Sequence, residues 1–380
     1  MKVSRRLLVA IILAGSAVLT AASGCVFDSF LLPETLETEG IRSESGSILS
    51  LSYSPDGRQL ASSHQALLPI ESRHQSQPLP PEVRLWTSDQ PDLEPKRLVA
   101  VFAAPRWDWD WPALSFSPDG KQLYAATSRG LLRWDIPGQR LDRFFEGYHV
   151  TISPDGQTVA RDVHERPSID ALLEPDASNT QAEKRPTDQD AARIELLDLA
   201  NGTVARRINH ARELRPGFFA SHNEFLACYG DDGQVSIWHI PSESWRCRVP
   251  GQALPRGTFS PDGQFFATQA PKEGSIYIWS LQPGWSGGMS GSKELKTGGG
   301  VWCLAFSPDG TVLAVGREGG NGRGGEIQLW EVKAARQINK IRDRSTWGIT
   351  ALCFSPDGAT LASGSGDGAI KFLPVPDMEK

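Results

Sequence analysis

The chain has 380 residues, 39% of them hydrophobic and 22% charged, with a formal net charge of −6. Residues 1–24 hold three basic side chains and no acid, so the remainder carries −9. Neutralising nucleic-acid phosphates takes a basic stripe, and no such Lys/Arg cluster occurs beyond the leader, which excludes nucleic acid as the expected partner.

At the N-terminus, Lys2, Arg5 and Arg6 precede an apolar stretch from Leu7 to Leu19, broken only by Gly15 and Ser16. This is the layout of an export signal, and the stretch is too short to cross a bilayer comfortably as a mature helix. Ala22-Ser23-Gly24-Cys25 then places small residues before a cysteine and looks like a bacterial lipobox. The expectation is a signal peptide over 1–24, lipidation of Cys25, a tether over 25–32, and an exported protein anchored to a bacterial cell membrane. Soluble export, periplasmic or secreted, is the alternative.

From residue 33 onward the chain repeats. Ser-Pro-Asp-Gly begins at Ser54, Ser117, Ser153, Ser260, Ser307 and Ser355. Pro presets φ for a turn, Asp tolerates the next position, and Gly accepts the positive φ that closes a bulged hairpin. Ser221-His222-Asn223-Glu224 reads as a seventh, worn copy one residue shorter. An apolar strand precedes each turn and a second strand follows, with Leu60-Ala61, Val159-Ala160, Leu226-Ala227, Leu313-Ala314 and Leu361-Ala362 at matching positions. A third strand ends at Trp86, Trp238, Trp279 and Trp330, and in weaker versions at Trp134, Leu197 and Leu373. Twelve Trp, 37 Gly and 27 Pro suit such half-buried strands and turns.

These residues resemble β-transducin-like WD repeats across 33–376. The resemblance implies an all-β, seven-bladed β-propeller of four-stranded blades, without a catalytic role or cofactor, that docks a protein or peptide partner. Trp134-Asp135 alone keeps the name-giving dipeptide, and the Gly-His dipeptide of the family is missing. Tol-type propellers of the cell envelope also use Ser-Pro-Asp-Gly turns, so an envelope-assembly component is an alternative. So is a sensor or enzyme with a small-ligand pocket at the mouth of the central channel.

Only a few residues follow the seventh third strand, so the last blade lacks its outer strand. Residues 34–38 alternate as an edge strand would and are expected to close the ring by pairing with residues 370–373. From turn serine to third-strand terminus the regular blades take 17 to 19 residues, but blades one, three and six take 32, 44 and 23. The excess is placed in insertions near 64–81 and 164–191, with 377–380 as a tail.

No nucleophile and base, paired carboxylates or metal-ligand spacing stand out. His64, His74 and His164 fall in the insertions and read as solvated, and Asp231-Asp232 as a tight turn. Cys228, Cys247, Cys303 and Cys353 are expected to be unpaired core residues, because their strand positions do not bring them together. The candidate partner-binding residues lie where the chain enters the inner strands. They are Trp107, Asp108, Trp109 and Asp110 of an alternating Trp-Asp run, Trp302 and Trp347 in comparable positions of blades six and seven, and Tyr148, Arg215 and Arg256 in blades three to five. Rigid aromatics at a rim are the type of residue that dominates interface energy.

Overall fold

A computed structural model describes residues 41–42, 46–65, 82–87, 97–103, 113–127, 130–163, 193–209, 214–220, 223–230, 232–251, 257–270, 274–281, 292–318, 324–343 and 348–375. These residues form seven antiparallel sheets of four strands each, a seven-bladed β-propeller. In blades one to six the four strands are consecutive in sequence, whereas blade seven takes its outer strand from the beginning of the chain. The inner strands are Ile48–Tyr53, Ala113–Phe116, Tyr148–Ile152, Leu214–Phe219, Gly257–Phe259, Val301–Phe306 and Ile349–Phe354. Each touches the blade on either side, so the ring is continuous.

The core is divided rather than central. Seven apolar clusters each join two neighbouring blades. The third-strand tryptophans show why. Trp86, Trp134, Trp279 and Trp330 stand opposite Leu60, Leu123, Phe266 and Leu313, the apolar residues that begin the second strands. Directly opposed residues share one face of an antiparallel pair, so each couple forms a large apolar unit. In each case that unit packs against the preceding blade.

The repeated turns are built alike. In Ser54-Pro55-Asp56-Gly57 the backbone N–H of Gly57 donates to the Ser54 carbonyl, and that of Ser54 to the Gln59 carbonyl, both at 2.9 Å. Ser54 Oγ donates to Asp56 Oδ1 at 2.6 Å, and the Arg58 N–H donates to the same carboxylate. The Ser54 hydroxyl holds the Asp56 carboxyl below the ordinary carboxylate range, which accounts for Asp here without any metal. Gly57 has φ +71°, and a Cβ there would stand 3.6 Å from Pro356 of blade seven. Gly120 faces Pro55, Gly156 faces Pro118 and Gly358 faces Pro308 in the same way, so these turns stack around one mouth of the ring.

Four sequence expectations need correction. The worn turn is full length and begins one residue earlier: Ala220 N–H donates to the Phe225 carbonyl and Asn223 N–H to that of Ala220. Ala220 thus replaces the serine and Asn223, at φ +54°, replaces the glycine, because Asn tolerates the left-handed region. Second, an N-terminal strand does close the ring on the last blade as expected, but the described pairing is by Ile41–Arg42, Ile41 with Ile370 and Arg42 with Ala369. Ile41 supplies an apolar side chain to the cluster that joins blades seven and one; residues 34–38 lie outside the described residues. Third, His64 is no loop residue but the buried end of the second strand of blade one. The loop expectation arose because both faces of Gln59–His64 are covered, leaving no alternation to mark its end. Fourth, Cys303 and Cys353 are half-buried at the edge of apolar clusters rather than fully inside the core, and none of the four described cysteines is in a disulfide. Burial pushes the Cys247 thiol up to about 12. The two insertions beyond Gln65 and Val163, with His74 and His164, lie outside the described residues.

Among the described residues, blades one and six carry buried polar networks that engage the third-strand tryptophan. In blade one, Trp86 Nε1 donates to Ser62 Oγ at 2.8 Å, and Ser62 Oγ meets His64 Nε2 at 2.7 Å. In blade six, Trp330 Nε1 donates to Gln328 Oε1 at 3.1 Å, and Gln328 Nε2 donates to Glu326 Oε1 at 2.8 Å. Arg317 Nε lies 3.1 Å and Lys340 Nζ 2.9 Å from the Glu326 carboxylate.

Candidate functional site at the channel mouth

The inner strands of blades one, six and seven share an irregularity. Partner register jumps between Ile48 and Ser50, between Val301 and Cys303, and between Ile349 and Ala351. Each strand therefore holds one extra residue: Leu49, Trp302 or Thr350, each five positions before its turn serine. A bulge leaves its extra residue out of the ladder, bends the strand and re-aims a side chain. All three line one cavity, with Ser50, Leu51, Cys303, Leu304, Ala351 and Leu352 from the same strands.

Ala113, Phe218, Gly257 and Thr258 complete the wall, so inner strands of six blades contribute. The cavity encloses about 180 Å³. Its lining residues lie two to five positions before the turns, along the middle of the inner strands. Phe218 is fixed edge-on to Tyr229, their centroids 5.8 Å apart at 84°. The neighbouring Gly217 accommodates this arrangement, since a Cβ there would fall 2.0 Å from the Tyr229 ring.

Chemically the wall is apolar with scattered hydroxyls. Thr350 Oγ1 is engaged, donating to the Gly364 carbonyl at 3.2 Å, and Ser50 Oγ accepts from the Leu114 N–H at 3.2 Å. Cys303 Sγ donates to the Ile349 carbonyl at 3.5 Å, tying blade six to blade seven. Nothing in this wall is an activated nucleophile beside a base. Among the described residues no group of three His, Cys, Asp or Glu is placed to hold a metal ion.

Of the described entry residues singled out in the sequence, only Trp302 lines this cavity. Tyr148 begins the blade-three inner strand, exposed and paired with Asp162. Arg215 is half-buried opposite Tyr229 in blade four. The structure does not bring these two to Trp302. The counterpart of Trp302 in blade seven is Thr350 rather than Trp347, because the bulge fixes the register. Cys25, Trp107, Asp108, Trp109, Asp110, Arg256 and Trp347 lie outside the described residues. Sequence reasoning missed Leu49, Phe218 and Thr350. For Leu49 and Thr350 the usable signal was their constant distance from the turn serine.

Residues 292–331 and 336–372 match the family described as WD domain, G-beta repeat. No curated protein matches the chain. Each matched stretch begins on the outer strand of one blade and ends on the third strand of the next, the phase that leaves blade seven dependent on Ile41–Arg42. The chain is a seven-bladed β-propeller whose last two repeat units match the WD repeat family.

Proposed function

We propose that the chain is a non-catalytic binding module that docks a protein or peptide partner at the channel mouth, held on the exported side of a membrane by a lipid on Cys25. WD-repeat propellers commonly serve as protein-interaction scaffolds, which supports the docking role. The observation that carries it is the convergence of Leu49, Trp302 and Thr350, three bulge residues turned into one apolar cavity. At about 180 Å³ that cavity is smaller than the roughly 300–1,000 Å³ usual for small-molecule sites. It suits one inserted side chain of a larger partner better than a whole cofactor. The basic and apolar leader before Cys25 supports the anchor.

Crosslinking in native membranes followed by mass spectrometry should return a stoichiometric partner. Trp302→Ala should weaken that complex by at least about 1 kcal/mol, the range of interface hot spots, with the melting temperature unchanged. Lower stability with binding intact would assign Trp302 to the fold and remove it from the site. Cys25→Ser should move the protein from membranes into the soluble exported fraction; continued retention would refute the anchor.

A further inference from the structure

Blades diverge outward, so the face of each outer strand that looks back at the preceding blade is only partly covered. Two positions on that face are equivalent in blades one to six. One stands opposite the third-strand tryptophan or its substitute, and the other opposite the residue two before it. In blade one they are Leu98 and Val101, and in blade two Leu141 and Phe144. Blades three and four have an apolar residue and an arginine, Val204 with Arg207 and Trp245 with Arg248. Blades five and six have Ser292 with Glu294 and Gln337 with Lys340.

The rim is therefore graded around the ring. Leu98, Val101, Leu141 and Phe144 are 42%, 49%, 45% and 38% exposed, and the bulged Val99 between the first two is 39% exposed. They form most of the large exposed apolar surface of the described residues. A soluble protein tends to keep such residues scattered, and their concentration on two adjacent blades marks a contact surface. The equivalent sites of blades five and six are polar, so the fold does not require apolar residues there.

The position of the chain entry identifies the occupant. Ile41 is the outer strand of blade seven and packs in the same cluster as Trp86, the partner of Leu98. Blade one thus adjoins the point at which the N-terminal segment joins the ring. Cys25 precedes Ile41 by 16 residues, a reach of at most about 55 Å when fully extended. We infer that the outer strands of blades one and two rest on the phospholipid surface of the membrane, so that the disc stands on its edge beside its anchor. This inference deepens the membrane placement proposed above and rests on it. Arg97, Arg140 and Arg143 against Asp142 and Glu146 leave the two outer strands only one net positive charge. The contact is therefore apolar more than electrostatic and should persist in high salt.

The test uses residues 33–380, which contain every described strand and lack Cys25, with vesicles of phosphatidylethanolamine and phosphatidylglycerol. The unmodified chain should float with the vesicles. Leu98→Ser/Val101→Ser/Leu141→Ser/Phe144→Ser should lower the bound fraction at least about tenfold, while Gln337→Ser/Lys340→Ser should not change it. If the fourfold variant unfolds, an environment-sensitive dye answers the same question from single sites. In a Cys303→Ala/Cys353→Ala background, a dye on Val101→Cys should shift to the blue with vesicles and one on Gln337→Cys should not. Failure of the unmodified chain to bind overturns the inference, as does equal binding by the fourfold variant. So does a dimer in solution that the serines abolish, which would give the patch to a second copy. Because Cys25 is absent from this assay, failure here is distinct from failure of Cys25→Ser to release the full chain.

Discussion

Lowering the pH from 8 to 5 is expected to remove about 2 kcal/mol of stability through His64 alone. Trp86 Nε1 donates to Ser62 Oγ, and the Ser62 hydroxyl can in turn donate to His64 Nε2 when the ring is neutral and that nitrogen is unprotonated. Burial, and secondarily the Arg84 charge, hold the folded pKa near 3, against 6.5 when the ring is solvated. The folded value is the depressed one, so the stabilisation is complete above pH 6.5 and lost as the pH falls toward 3. Between these limits the slope is about 1.4 kcal/mol per pH unit, and the rounding near 6.5 leaves about 2 kcal/mol by pH 5. The assay is guanidinium unfolding at pH 8, 6.5 and 5 for the unmodified chain and for His64→Gln. Gln accepts the Ser62 hydrogen bond but does not titrate, so the advantage of His over Gln should shrink by about 2 kcal/mol across the range. A stability difference independent of pH would refute both the burial and the hydrogen-bond direction assigned to His64.

Glu326→Gln should destabilise the chain by about 3 kcal/mol in denaturant unfolding, because Arg317 would remain buried without its counter-charge. Arg317→Met on that background should recover most of the loss; no recovery would mean that the cost lies in packing rather than in the charge. Gly364→Ala places a Cβ 2.5 Å from Ile48 Cγ2, and Ile48 is fully buried where blades seven and one meet. A loss of about 1–3 kcal/mol is expected, and because Ile48→Ala removes the Cγ2 that the new methyl meets, the two changes together should cost less than the sum of their separate losses in the same calorimetric scan.

The fold was legible because the turn chemistry is local. Ser-Pro-Asp-Gly needs only its own residues to set φ and to satisfy its hydrogen bonds, so six copies announced six blades. The seventh showed that the backbone conformation is kept while the letters change, with Asn223 taking the left-handed position. The clasp was legible as a missing outer strand, but its register depends on packing of Ile41 against blade one, which pairs residues far apart in sequence. The site was harder to read. A bulge is one residue of slippage between two strands, and nothing in Val301-Trp302-Cys303 marks it before the partner strand is placed. His64 was misread for a similar reason: Trp86, 22 residues further on, supplies the donor that explains it.

The two-residue clasp has a mechanical consequence. Among the described residues, the N-terminal part of the chain joins the last blade through the ladder of Ile41 with Ile370 and Arg42 with Ala369. It is the shortest ladder among the described residues and so contributes the fewest backbone hydrogen bonds to resist a pull on the N-terminal side. Peeling leaves blade seven with three strands, while Ser47 Oγ still donates to the Gly366 carbonyl at 2.8 Å and Ile48 remains packed against Ala362 and Phe372. The clasp can therefore yield and re-form while the disc stays shut, absorbing a pull on the N-terminus before it is felt at the channel mouth.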